Sequence, residues 1–453
     1  MRARLTRTFQ SLTVRNYRLF ASGQLAKLTG VWMMFIAQDW LVLQLSGDSA
    51  TAVGIVVALQ FTPILLLTLM AGALADRYDK RKLLLVANAA FTTLAIFMAV
   101  LVLAGVVRLW HVFVLAALLG TSNAIENPTR QAFVSELVGN TLLPNALSLN
   151  ASVFNSARIM GPAVAGAAIA VIGLGPTFLI ATLLVGSPMV SLTRMRPAEL
   201  HREQPRPGSR RGSTRVADGL RYVWRRHDLV MAMSLVAVVG AAGFNYQVTL
   251  PVLSKVVYQT GAASFGLLAA ALAIGSLAGA LGGSWRRSRP SAYLVIGAGA
   301  AFGGFSMLVG FASPYWLVAL LLLPTGFFAI LFAQAANQRV QLGCDASVRG
   351  RVMALYVLVF LGTTPLGALA VGWWSERVGP ESAIWLGGLA SLLASVAALG
   401  WQLRHHGDHL RLRLRPLPRV YVVPARHPAD LAVVGAGPAR VDLPERVDTS
   451  LAG

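Results

Sequence analysis

Hydrophobic residues in this chain gather into long unbroken runs instead of alternating or amphipathic patterns. The segment 83–107 holds 25 consecutive uncharged residues, mostly Leu, Val, Ala and Phe, bounded by Lys82 and Arg108. At about 1.5 Å per residue, a helix of that length crosses the ~30 Å hydrocarbon core of a bilayer. Similar runs predict helices near 20–45, 51–75, 83–107, 109–127, 146–173, 174–195, 228–253, 262–285, 291–312, 314–337, 350–375 and 381–403. An all-α integral membrane protein with twelve transmembrane helices is therefore expected. Strands fit poorly, because an open sheet in lipid leaves backbone groups without partners and a barrel needs alternating segments of about ten residues.

The polar stretches divide these runs six and six. Between Arg194 and Asp228 lies an Arg-rich segment containing RPAELHREQPRPGSRRGSTR, read as a solvated linker facing lipid headgroups. The expected organisation is an N-terminus over 1–19, a six-helix bundle over 20–195, the linker over 196–227, a second bundle over 228–403 and a disordered tail over 404–453. Gly72–Lys82, GALADRYDKRK, aligns with Gly279–Arg289, GALGGSWRRSR, each closing the second span of its half. A weaker echo pairs Gly161-Pro162 with Thr364-Pro365. Two halves in parallel repeat are the architecture of a rocking-bundle transporter.

Composition agrees with this reading and locates its charge. The chain is 56% hydrophobic and 13% charged, against roughly 25% charged in soluble domains. Its 39 Lys and Arg against 18 Asp and Glu give a formal net charge of +21. No nucleic-acid partner is expected, because a soluble nucleic-acid-binding domain could not hide such apolar runs. On the predicted topology 34 basic residues share one face with the termini, Arg108, Lys255 and Arg377 face the other way, and Lys27 and Arg158 lie inside spans. The positive-inside rule then sets both termini in the cytoplasm, near anionic headgroups. No cleavable leader is expected, since the first span is too long for a signal h-region and no A-x-A site follows it. The single Cys344 offers neither a disulfide framework nor a metal cluster, and no cofactor is expected.

Gly72–Arg81 resembles the signature loop between helices 2 and 3 of the major facilitator superfamily, roughly G-x-x-x-D-R-x-G-R-K, with Asp79 in place of the second glycine. The stretches NPTRQAFVSELV (Asn127–Val138), FNSARIMGPAVAG (Phe154–Gly166) and RGRVMALYVLVFLGTTPLG (Arg349–Gly367) resemble the enterobactin-exporter-like, transmembrane secretion effector branch of efflux proteins. The resemblance covers about residues 15–403. It implies a secondary active transporter of the inner membrane, exporting small organic molecules such as drugs, siderophores or secondary metabolites by alternating access, in exchange for protons; a monomer is compatible with the chain but is not implied by it. An importer or facilitator of similar solutes is the alternative within transporters. A non-transporting sensor or membrane enzyme is the alternative from another class, but the enzyme would need paired acids, His clusters or a nucleophile–base pair, which are not found. No nucleotide-binding loop points to direct ATP use.

Several residues carry the expected mechanism. Gly72 is small enough for close helix approach, and Asp76, Arg77, Lys80 and Arg81 lie at the membrane boundary, where Asp76 can face a helix N-terminus. With Glu126 at similar depth, an Asp76–Lys80/Arg81–Glu126 relay is expected; in the resembled family such a relay latches one conformation. Gly161, Pro162 and Gly166 resemble an antiporter packing motif in the fifth span. Gly275 and Gly279 suggest a close-packing face on the eighth.

Charges within the bilayer are costly, about 2.5–3.5 kcal/mol each at a helix centre on insertion scales, and so mark function. Lys27 and Asp39 sit twelve residues apart and are rotated by about 120°, so they do not share a face. Gln24, Lys27, Val31 and Gln38 form one stripe, assigned to the central cavity, with Asp39 aimed at a neighbouring helix or the cavity edge. Asp39 is the first proton-carrying candidate and Glu126 the second, with Arg158 or Lys27 as charge partners; the alternative is an Asp39 simply hydrated at the interface beside Trp40. Asn245, Tyr246, Gln247, Gln334, Asn337 and Gln338 suit a large, partly polar organic substrate. Trp32, Phe35 and Phe244 could add stacking surface. The tail segment ADLAVVGAGPAR (Ala429–Arg440) is too near the C-terminus for a dinucleotide-binding unit, and His405, His406 and His409 read as a lipid-facing flank instead of a metal site.

Overall fold

The computed structural model describes residues 10–201, 216–284, 289–345, 348–406, 409–413 and 419–423. Twelve helices in it are long and apolar enough to cross a membrane. They are α1 Arg15–Leu45, α2 Ala50–Arg77, α3 Lys80–Leu103, α4 Leu109–Gly139, α5 Thr141–Ile172 and α6 Leu174–Thr193 in the first half. The second half has α7 His227–Val257, α8 Ala262–Ser284, α9 Ala292–Phe311, α10 Tyr315–Gly343, α11 Arg349–Val378 and α12 Pro380–His406. Below, the end of the bundle carrying the α6–α7 connection is called the linker face, and the other end the opposite face.

The expected loop at 128–145 is helical instead. Helix α4 continues through Pro128 to Gly139, and α5 starts at Thr141 and carries Pro144. The turn between them is made by Gly139 at φ 66, a left-handed conformation open to glycine without a side-chain clash. Proline survives inside these helices because neighbouring spans and local adjustments satisfy the freed carbonyls. Hydroxyls follow the same rule: Thr29, Thr62, Thr129 and Thr325 each donate to the carbonyl four residues earlier.

Small residues set how closely spans meet. A Cβ on Gly275 or Gly279 would run into the backbone of Leu323 or Phe327, so α8 and α10 touch main chain to main chain, as expected for this pair. Gly161 backs onto Trp32 and Thr29 of α1, and Gly166 onto Ala262 and Gly266 of α8. Gly72 differs from expectation: a Cβ there meets nothing within 4 Å, so no helix approaches it closely. Large apolar side chains such as Leu66, Leu183 and Leu366 point outward, as a lipid-facing surface requires.

From Ala397 onward the chain forms a separate unit. In it, β1 His409–Arg413 pairs antiparallel with β2 Arg419–Val423, where a disordered tail was expected. The alternation of HLRLR has the period-two pattern that favours strand pairing. The linker residues 202–215 and the segment Ala429–Arg440 lie outside the described residues.

Replacing Gly275 with Ala should lower the melting temperature of the purified protein, through overpacking worth about 1–3 kcal/mol. Gly297→Ala is the control: a Cβ at Gly297 meets nothing within 4 Å and should leave the transition in place.

Candidate functional site

A cavity of about 550 Å³ lies between the two halves, lined by α1, α5, α7 and α8. From α1 it receives Trp32, Phe35, Ile36 and Asp39, the i, i+3, i+4, i+7 face of one helix. Helix α5 contributes Arg158 and Pro162. The contact of Gly161 with Trp32 brings α5 against α1, and Arg158 lies with its guanidinium 5.9 Å from the Trp32 ring centroid. Asp39 is 5% exposed and, among the described residues, has no ion-pair partner within 4 Å.

Helix α7 is broken where it meets this cavity. A π-turn at Val239–Gly243 leads into non-helical Phe244 and Asn245, an α-segment resumes at Tyr246–Val252, and a second π-turn covers Leu253–Val257. Irregular backbone at membrane depth survives where protein buries it or where it lines a cavity, and π-turns recur at functional sites. Asn245 donates to the Ala241 carbonyl at 2.7 Å and packs against Gly367, so its amide braces the break; it lines a small adjoining pocket with Tyr246 and not the cavity that holds Asp39. Tyr246 lines that cavity, but its hydroxyl is committed to Ser306 at 2.9 Å; Gln247 lines it as well. Gln334, Asn337 and Gln338 sit elsewhere, with Tyr356 and Phe360, around a cavity of about 970 Å³ toward the linker end of α10 and α11.

The stripe assigned to the central cavity is buried in helix packing instead. Lys27 Nζ lies 3.0 Å from Glu126 Oε1, and Arg130 Nε lies 3.3 Å from the same oxygen, with all three side chains at most 8% exposed. Gln60 donates to Gln38 at 3.2 Å, and Gln24 is 2% exposed. The 120° rotation between Lys27 and Asp39 holds, but the polar stripe turns into the first bundle while the aromatic stripe with Asp39 meets the cavity. Hydrophobic periodicity cannot tell those faces apart, because both lie inside the protein. Arg130 was missed as a member of this cluster; its signal was its place four residues after Glu126, one helical turn away.

The linker-face loop also differs from expectation. Lys80 pairs at 2.5 Å with Glu136, not with Glu126, because the longer α4 leaves Glu126 ten residues, or about 15 Å, deeper. Arg81 donates to the carbonyls of Leu192 and Thr193, so both basic residues are held within the first half. Asp79 caps α3 by accepting from the Lys82 backbone at 3.0 Å, a role the usual glycine could not fill. Arg77 is exposed, and the side chain of Asp76 lies outside the described residues. In the second half, Asp228 holds Arg226 at 3.0 Å and Arg289 at 2.6 Å.

A model of the transmembrane secretion effector family matches residues 6–420. The chain belongs to that family. It is a multi-pass membrane protein of the major facilitator type. The Staphylococcus aureus staphyloferrin A transporter is 26% identical over 268 residues, a match spanning 57% of this chain and 64% of that protein, less than two thirds of its length. Among solved structures, a POT family transporter superposes with a TM-score of 0.69 at 10% identity, covering 86% of this chain and 96% of that one. A D-xylose–proton symporter superposes at 0.67 and 13% identity, covering 85% and 97%. At these identities the likeness is one of fold.

This secretion effector family member is closed at its opposite face. Across the two halves Asp48 pairs with Lys255 at 2.5 Å, and Glu376 accepts from Ser49 Oγ and the Thr51 backbone, each at 2.8 Å. Lys255 also lies 5.6 Å from the Trp40 ring, which stacks on Phe265 at 6.5 Å. Beneath them Gly54 meets Ala368 and Gly372, and Gly166 meets Gly266, so α2–α11 and α5–α8 are in backbone contact. Sequence reasoning missed this closure. Its one signal was that Lys255 is among just three basic residues predicted on that face.

Glu126→Gln leaves two buried cations without a carboxylate and should cost about 3–5 kcal/mol in thermal unfolding, with Lys27→Met/Glu126→Met less destabilised than the single change. Cysteines replacing Asp48 and Lys255 in a Cys344→Ser background, joined by a short bifunctional thiol reagent, should stop transport until a reductant releases them.

Proposed function

We propose that this protein is a transporter that exports small organic molecules across a prokaryotic inner membrane by alternating access, in exchange for protons, with both termini and the linker in the cytoplasm. The observation that carries this reading is the cavity between the halves: it contains Asp39 and Arg158, is walled by Trp32 and Phe35, and is closed toward the opposite face. A buried carboxylate without an ion-pair partner is costly unless it takes up a proton or a ligand in turn, which is what coupled exchange requires. Asp39 is therefore assigned the proton, and the Lys27–Glu126–Arg130 cluster the role of holding α1 to α4 while the halves move.

Support also comes from the basic loops. On the predicted topology 34 of the 39 Lys and Arg fall on the side of the linker, Arg130 among them although it is buried beside Glu126, and the positive-inside rule favours a cytoplasmic linker face. The closed opposite face then makes this conformation the one that loads from inside, and the amide-lined cavity beside Gln334 and Asn337 lies on the way in. The name of the staphyloferrin A transporter makes siderophores sensible first substrates to try.

Everted vesicles with an acid interior provide the test, using siderophores and amphiphilic drugs as a substrate panel. For an exchanger, adding a substrate should dissipate the proton gradient, and Asp39→Asn should slow this by about tenfold or more, equivalent to at least ~1.4 kcal/mol on the barrier. Uptake that needs no gradient, or unchanged exchange in Asp39→Asn, would refute the coupling.

A further inference from the structure

The cavity between the halves presents a carboxyl group and a guanidinium that do not pair with each other. Asp39 and Arg158 both line it, yet among the described residues neither has an ion-pair or hydrogen-bond partner. The remaining polar groups are nearly spent: the Tyr246 hydroxyl is held by Ser306, which leaves the Gln247 amide. Lys255 of α7 does not line it and is held by Asp48 and the Trp40 ring. The rest of the wall is apolar and aromatic, with Trp32, Phe35, Leu250 and Phe265.

We propose that this site binds a zwitterionic organic molecule, with its ammonium on Asp39, its carboxylate on Arg158 and a ring-bearing body against Trp32, Phe35 and Phe265. The proposal rests on reading this cavity as the substrate site. A ligand with a single charge would satisfy one side chain and leave the other buried and uncompensated, which is the costly arrangement. A neutral ligand would leave both.

The direction of proton coupling favours the same class. An ammonium and a proton compete for the Asp39 carboxylate, so loading the substrate releases the proton to the side from which the substrate comes. A purely anionic ligand on Arg158 would instead favour protonated Asp39 and carry the proton in its own direction. A zwitterion thus satisfies both buried charges and still exchanges against protons.

Binding of three probes sharing one naphthyl body to the purified full-length chain tests this. They are 2-naphthylalanine, its methyl ester with the cation alone, and its N-acetyl derivative with the anion alone. The expected result is that the zwitterion binds about tenfold or more tightly than either singly charged probe. Asp39→Asn should bring the zwitterion down to the N-acetyl level, and Arg158→Gln down to the ester level. Equal affinities, tighter binding of a singly charged probe, or no binding of any probe at millimolar concentration would overturn the proposal. The wild-type ranking decides even where a variant fails to fold. Because that ranking is read without flux, a failed exchange assay beside a surviving ranking refutes export alone, and a lost ranking beside intact exchange refutes the zwitterion alone.

Discussion

Everything in this structure answers to the absence of water in the bilayer core. There, a backbone amide or a charged side chain must find its partner inside the protein. Helices meet the demand for the backbone. The side chains meet it one by one, through hydroxyls bonded to the preceding turn, Gln38 to Gln60, and Lys27 and Arg130 to Glu126. The few groups left over then stand out, and Asp39 and Arg158 stand out in the same cavity.

The same constraint explains where the fold breaks its own rules. Helix α7 gives up regular hydrogen bonding around Phe244 and Asn245, where Gly367 of α11 and Gly387 of α12 allow close approach. The glycine pairs at α2–α11 and α5–α8 bring the halves into backbone contact near one face. On the linker face the basic residues bond within their own half: Lys80 to Glu136, Arg81 to α6 carbonyls and Arg289 to Asp228. The bundle is thus stitched across at one end and satisfied within each half at the other.

Much of this was legible in the chain itself. Twelve runs of apolar residues gave twelve helices, because length and hydropathy alone decide what can span a bilayer. The G-x-x-x-D-R loop and the Gly161-Pro162 stretch pointed to the right superfamily. The exceptions have physical causes. Residues 128–145 read as a loop because they fall between the apolar runs, yet the helix continues and Gly139 makes the turn. Glu126 read as part of the linker-face latch because α4 was drawn too short, and Asn245 read as substrate-facing although its amide is spent on Ala241.

By itself the sequence determined the number of spans, since that follows from counting apolar residues against a bilayer of known thickness. Only the tertiary structure decided which polar residues face one another. Lys27 and Asp39 are both buried charges on α1, and the helical period sets them on different faces without saying which face meets the cavity. Packing settles it: neighbouring α4 supplies a carboxylate to the one, while the gap between the halves leaves the other facing a cavity.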